Sequence, residues 1–330
     1  MFAPTKKYFS LICCFCFGLI LNFLFSFIVR DVAIANSSTQ FIAQTAVETD
    51  AATVNILQAI VLGFVQGATE FIPISSTAHL KAIPVFFGWG DPGVSFSAVI
   101  QLGSIAAVLS YFWSDLAQIV RGMIKAIRTS DYDSQEFWMA VGIGVGSIPI
   151  IVFGLLLTIL EPPFYEETLR SMTSIAIVSI IMAILLAIAE SVGNQKRNFK
   201  DLTVKDGILI GLAQAMAIIP GTSRSGSTMT AGLFSNLDRE TAARYSFLLG
   251  IPAITAAGLV GLKDLISPVE GEAIAFFPLI AGLISSAIFS YLAIAWLLEF
   301  LKRRSTWVFV WYRLAFGVFI LAAIALGWVE

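Results

Sequence analysis

Two stretches of this chain hold side chains able to do chemistry, and each interrupts an apolar helix. The first runs from Gln66 to His79. It carries Glu70, the hydroxyls of Ser75, Ser76 and Thr77, and His79, the only histidine in the 330 residues. A hydroxyl becomes a useful nucleophile when a neighbouring base takes its proton, and histidine is the usual base. If helix resumes after Ser75, Ser76 and His79 lie one turn apart on one face, as such a pair requires. Capping of that helix accounts for one hydroxyl, and less easily for three with a histidine. Glu70 suits a general acid or base, a metal ligand, or a structural carboxylate at a helix end. Gln66, one turn earlier on the same face, suits a water- or metal-positioning amide or a plain helix contact.

The second stretch is Pro220-Gly221-Thr222-Ser223-Arg224-Ser225-Gly226-Ser227-Thr228. Glycines let backbone approach a ligand closely, and successive N–H groups in such a loop form an anion nest. Arginine recognises phosphate through a planar fork of donors. Arg224 alone would also fit a snorkelling anchor at a membrane interface. The flanking Ser223, Ser225 and Gly226 favour an anion cradle instead, with Gly221 and Thr228 completing it. One stretch thus offers an acid, a nucleophile and an imidazole; the other offers a phosphate clamp.

The elements that must position these groups are membrane helices. The chain is 58% hydrophobic and 13% charged, with a mean hydropathy of +0.87, a composition of polytopic helical membrane proteins. No basic patch interleaved with aromatics is present, which argues against a nucleic-acid partner. Apolar runs precede both stretches, from Ile56 to Val65 and from Ile208 to Ile219. Pro73 and Pro220 then remove a backbone donor and break the helix. A break at membrane depth is tolerated where the freed backbone lines a cavity or is buried in protein. Further spans read as Val94–Trp113, Phe137–Leu160, Met172–Glu190, Tyr245–Leu262, Phe276–Phe300 and Trp307–Trp328, about six in all. Trp89, Trp113, Trp138 and Trp328 near their ends fit an interfacial belt.

Basic residues cluster in three connectors: Arg121, Lys125 and Arg128; Lys196, Arg197, Lys200 and Lys205; Lys302, Arg303 and Arg304. The positive-inside rule makes these cytoplasmic and leaves the acidic segments 161–168 and 263–272 outside. The first broken segment must then enter from outside and return there, and the second must do the same from the cytoplasm. Each is followed by three spans, of opposite sense in the two halves. That is an inverted-topology repeat, which sets two discontinuous helices face to face near the midplane. Ile60-Val61-Leu62-Gly63-Phe64-Val65-Gln66 matches Ile208-Leu209-Ile210-Gly211-Leu212-Ala213-Gln214 in kind. The expected organisation is residues 54–190 as the first repeat, 191–206 as a basic cytoplasmic connector and 207–330 as the inverted second repeat. Residues 1–53 hold Lys6, Lys7 and an apolar run from Tyr8 to Val29 with Cys13, Cys14 and Cys16 as apolar filler. This run is a signal peptide cleaved near Ala33-Ile34-Ala35 or an anchor, followed by a polar linker from Asn36 to Asp50.

Gln66-x-x-x-Glu70, Pro73-x-Ser75-Ser76-Thr77-x-His79 and Pro220-Gly221-x-Ser223-Arg224-Ser225-Gly226 together closely resemble the bacterial undecaprenyl-diphosphate phosphatase family, the bacitracin-resistance proteins. The resemblance covers Val54 to Trp328. It implies an inverted-repeat fold with re-entrant helices in the bacterial plasma (inner) membrane, with the site open to the outer face. It implies hydrolysis of undecaprenyl diphosphate to the monophosphate, which recycles the lipid carrier for peptidoglycan and other cell-wall glycans. A divalent cation, Mg2+ or Ca2+, is implied as cofactor. By position, the family's glutamate pair falls on Gln66 and Glu70, its serine on Ser76, its histidine on His79 and its arginine on Arg224. Gln66 stands where many members carry glutamate, and Ala78 where many carry glycine.

The expected chemistry has Arg224, backbone donors and a cation at Glu70 neutralising the diphosphate. Ser76 attacks the terminal phosphoryl group or positions water, and His79 moves the proton. A flippase for a phosphorylated polyprenyl lipid, or a small-anion transporter, uses the same broken-helix design. An anion channel around Arg224 fits less well, because basic pore residues are few. The partners expected are the polyprenyl diphosphate and membrane lipids, and a homodimer is one assembly the sequence admits.

Overall fold

The computed structural model describes residues 54–130, 132–160, 163–266 and 276–329. The expectations for the N-terminal run, its cysteines and the polar linker lie outside the described residues, as do parts of both acidic segments. The described residues form eleven α-helices and no β-strand. They are α1 (Ile56–Glu70), α2 (Ser76–Phe87), α3 (Val94–Tyr111), α4 (Trp113–Thr129), α5 (Gln135–Leu160), α6 (Met172–Val192), α7 (Val204–Ala215), α8 (Arg224–Phe234), α9 (Arg239–Ile266), α10 (Phe276–Arg303) and α11 (Trp307–Ala325). Among these, α5, α6, α9, α10 and α11 are each long and apolar enough to cross a membrane. The chain is therefore an all-α polytopic membrane protein. The expected span at Val94–Trp113 is corrected at its end: the chain turns by 74° after Tyr111 and continues as α4. A basic stretch read only for its charge hides a second helix.

The two broken segments, α1–α2 and α7–α8, are built alike. Each opens on a capping box, Asn55 with Gln58 and Thr203 with Asp206, which satisfies the first orphan amides. Each then crosses a long helix from the other half through glycine. A Cβ on Gly63 would sit 2.3 Å from the Gly282 carbonyl of α10, and one on Gly67 2.6 Å from that of Ser286. A Cβ on Gly211 would sit 2.3 Å from the Gly146 carbonyl of α5, and Gly207 faces Gly142 in the same way. Small residues four apart let membrane helices approach this closely, where apolar burial gives no driving force over lipid. Residue numbers rise together along both crossings, so α1 runs parallel to α10 and α7 parallel to α5.

Polar contacts gather the basic connectors at one end of the bundle. Gln135 at the start of α5 donates to the Phe199 carbonyl at 2.8 Å. Asp115 of α4 accepts from Arg244 of α9 at 2.6 Å, and that guanidinium lies 4.5 Å from the Phe199 ring centre. Glu190 at the end of α6 accepts from Arg239 and from Thr306. Thus α7 starts at this end and α8 returns to it. The parallel pairing with α10 makes α1 start at the opposite end, to which α2 returns.

These glycine crossings carry a prediction. Gly211→Ala places a methyl against backbone that cannot move aside, and overpacking of this kind costs about 1–3 kcal/mol. A clear drop in the detergent melting temperature is expected. Gly144→Ala on the same crossing helix has nothing within 4 Å of the new carbon and should leave the melting temperature unchanged.

Candidate active site

The two breaks meet head to head. After α1 ends at Glu70, Pro73 stops the helix, and Ser75 takes φ 75° as the N-cap of α2. After α7, a short 3-10 turn leads to Pro220 and Gly221 (φ 89°), and Ser223 takes φ 69° as the N-cap of α8. A non-glycine residue held at positive φ costs about 1–3 kcal/mol, and such strain clusters at functional sites. Ser75 and Ser223 each accept from the third amide of the helix they cap, Ala78 at 3.4 Å and Gly226 at 3.0 Å. Ser76 and Arg224 are consequently the first residues of two helices whose positive ends converge. That is an anion site by backbone geometry alone.

Between them stands Glu70. Its Oε2 accepts from the Ser76 hydroxyl at 2.7 Å and from the Gln66 amide at 2.9 Å. Its Oε1 faces the Arg224 Nη2 at 3.3 Å, both side chains being buried. The Arg224 Nη1 donates to the Ser246 carbonyl of α9 at 3.0 Å, and its Nε has no acceptor within the protein. A buried donor without an acceptor costs free energy that an anion here would recover. Glu70, Ser75, Ser76, Thr77, Gly221, Ser223 and Arg224 line one cavity of about 810 Å³. Its walls are apolar, from Ile150 and Leu155 of α5 to Ile254 and Val260 of α9. Lys81, Asp91, Tyr165 and Arg170 also line it, at the end opposite the basic connectors. A polar floor with a long apolar slot suits an amphiphile whose charged head lies inward.

Residues 59–319 match the family described as Bacitracin resistance protein BacA. The chain belongs to the BacA family. A protein of Synechocystis sp. named undecaprenyl-diphosphatase is 60% identical over 285 residues, covering 86% of this chain and 87% of that one. A second of that name, from Trichormus variabilis, is 62% identical over 274 residues, covering 83% and 85%. A third, from Gloeobacter violaceus, is 54% identical over 275 residues, covering 83% and 93%. The BacA match spans both motif stretches and begins beyond the N-terminal extension.

The residues expected from the BacA motifs separate into two groups. Those on the cavity wall are given above. The others brace it. The Ser225 hydroxyl donates to the Ile72 carbonyl of the first break at 3.1 Å. Thr228 donates to the Arg224 carbonyl at 2.8 Å and pairs with Ser246. Gly226 lets Arg313 lie against α8, since a Cβ there would be 2.8 Å from its Nη1. Gln66 is fully buried, donating from its amide nitrogen to Glu70 and toward Ser104, while its Oε1 has no donor within the protein. The expected serine–histidine pair is not formed. The His79 Nδ1 meets the Ser75 carbonyl at 2.7 Å, its Nε2 meets the Tyr312 hydroxyl at 2.7 Å, and its ring stacks on Phe316 at 4.3 Å. Tyr312 and Phe316 of α11 engage the imidazole, and the carboxylate hydrogen-bonded to Ser76 is that of Glu70.

Two contributors were missed. Arg313 of α11 is 1% exposed and donates to three backbone carbonyls: Pro73 in the first break (3.2 Å), Gly221 in the second (2.7 Å) and Ser179 of α6 (3.3 Å). Its signal was available, a lone cation in an apolar span. Gly250 of α9 had none, because glycine is common in membrane helices. A Cβ at Gly250 would lie 2.0 Å from the Arg224 Nη1, so this glycine is the seat of the guanidinium. Gly250→Ala is expected to push Arg224 aside and lower kcat/KM about 10²-fold, the order of loss for a charge-stabilising donor. The guanidinium is the free end of a long side chain, so the melting temperature should hardly move.

Proposed function

We propose that this chain hydrolyses undecaprenyl diphosphate to undecaprenyl phosphate and inorganic phosphate, and thereby confers bacitracin resistance. One observation carries the reading: a serine hydroxyl at 2.7 Å from a buried carboxylate whose other oxygen faces a buried arginine. The names of the BacA relatives point the same way. Glu70 takes the Ser76 proton as Oγ attacks the terminal phosphorus, and the P–O bond to undecaprenyl phosphate breaks. Water then attacks the phosphoserine, the P–Oγ bond breaks, and the proton returns to Ser76 as phosphate leaves. Arg224 and the first-turn amides of α2 and α8 hold the equatorial oxygens, where charge gathers in the transition state. The tail lies along the apolar walls of α5 and α9.

A divalent cation fits this donor set in one way. No three carboxylate, histidine or cysteine groups converge among the described residues. Glu70 would hold the ion from the protein side while diphosphate oxygens complete its shell, as is common for Mg2+. Bound so, the ion would neutralise charge on the diphosphate. The inner membrane and an opening toward its outer face are proposed on the strength of the basic connectors, which lie opposite the charged end of the cavity.

Phosphate release from undecaprenyl diphosphate by detergent-purified protein is the direct test, and its absence with Mg2+ or Ca2+ supplied would refute the reading. In the same assay Arg224→Lys keeps the charge but loses the planar fork. A fall in kcat of about 10²-fold is expected, the lower end for loss of a transition-state donor.

A further inference from the structure

The helix α4 has no part in the site, yet its surface is strongly ordered. At helical spacing, Trp113, Val120, Ile124 and Ile127 form one exposed apolar stripe. Arg121, Lys125 and Arg128 form a second stripe beside it, all exposed and without an ion-pair partner among the described residues. A third face, with Ile119 and Ala126 buried, packs against the protein. The remaining face carries the exposed Gln118, and Gly122, which packs against Glu136 of α5. A helix in water would not expose four large apolar side chains along one line, and a spanning helix would not carry three cations along the next.

The 74° bend after α3 resolves the conflict. It takes the chain out of the spanning direction at the end of the bundle where the basic connectors gather. With the core face against the protein, the apolar stripe points toward the acyl region. The basic stripe then lies on the outer flank at headgroup level, and Gln118 faces water. This is the arrangement of an interfacial amphipathic helix. Asp115, the acidic residue of its first turn, is occupied by Arg244 and does not oppose the basic stripe.

We propose that α4 is an in-plane lipid-binding surface whose Arg121, Lys125 and Arg128 collect anionic phospholipid headgroups on the side of the membrane bearing the basic connectors. The occupant is assigned by charge: three exposed cations, none in an ion pair among the described residues although Glu136 of α5 lies near Arg121 and Lys125, sit next to an apolar stripe and match an anionic headgroup above acyl chains. A second copy of this chain would bring the same three cations against themselves if it seated on the stripe by twofold symmetry.

Two measurements on the full chain test this. Nitroxide labels are placed singly at Ile124→Cys and Gln118→Cys, with Cys13, Cys14 and Cys16 replaced, in vesicles of phosphatidylcholine and phosphatidylglycerol. The Ile124 label should relax with dissolved oxygen, and the Gln118 label with a water-soluble nickel chelate. An Ile124 label reached by nickel overturns the proposal, because the stripe would then face water. An Ile124 label reached by neither reagent also overturns it, because protein would cover the stripe. The second measurement compares association of spin-labelled phosphatidylglycerol and phosphatidylcholine with the wild type and with Arg121→Gln/Lys125→Gln/Arg128→Gln. The wild-type preference for phosphatidylglycerol should fall about fivefold for each charge removed, and it should weaken in high salt. A triple variant with undiminished preference refutes the lipid assignment, and the label depths stand on an otherwise unaltered helix. Phosphatase activity in detergent should be the same in all these proteins.

Discussion

Ser76→Ala and Glu70→Gln are each expected to lower kcat by at least about 10³-fold, and the double variant is expected to be little worse than either single one. Groups that act as one unit are strongly non-additive, and the 2.7 Å contact makes these two a unit. His79 provides the contrast. Its ring nitrogens bond the Ser75 carbonyl and Tyr312 and neither Ser76 nor Glu70, so the effect of His79→Ala should multiply with that of Ser76→Ala. The cycle is measured on kcat with undecaprenyl diphosphate at saturating cation. Multiplying losses for Ser76 and Glu70, together with a non-additive Ser76 and His79 pair, would return the base role to the histidine. Near-normal turnover by Ser76→Ala would leave a water held by Glu70 and Arg224 as the nucleophile.

Arg313→Met should cut kcat by about 10²-fold or more while KM changes little. The guanidinium ties the Pro73 carbonyl of one break to the Gly221 carbonyl of the other. Ser76 and Arg224 begin the helices after those breaks, so their separation depends on it. Misplacement of reacting groups by about an ångström can cost 10²-fold. Arg313→Lys retains the charge but cannot fork across three carbonyls, and it should recover the melting temperature better than it recovers kcat. A proportional rise in KM at unchanged kcat would instead show that Arg313 binds the headgroup through its charge.

The parts legible in the sequence were those with local causes. Pro73 and Pro220 announced the breaks because a missing amide and a steric clash act on immediate neighbours. Glu70, Ser76 and Arg224 stood out because polar groups at membrane depth are costly. The pairing among them was less legible. Helical spacing put Ser76 beside His79, but Ser75 enters α2 at positive φ and so aims the Ser76 hydroxyl back at Glu70. His79 then follows Tyr312 and Phe316, residues of the last helix that no local pattern connects to it. Gly250 and the Ser246 carbonyl seat Arg224 through backbone, which carries no sequence signal. Arg313 carries the same local signal as Arg224, a cation in an otherwise apolar span.

The glycine crossings have a consequence for how the molecule is made. The crossing partner of α1 is α10, and that of α7 is α5. The first hairpin therefore leaves the ribosome long before the helix that must receive its glycine face. Until α10 arrives, α1 and its carboxylate wait in the bilayer with their closest neighbour missing, whereas α7 meets α5 already in place. Assembly is thus ordered by synthesis: the second hairpin docks at once and the first docks last. A ribosome-bound chain stopped before α10 should expose Glu70 to lipid or to an insertion factor, and the same chain released after α10 should bury it. Each half carries the wall against which the other's broken segment packs.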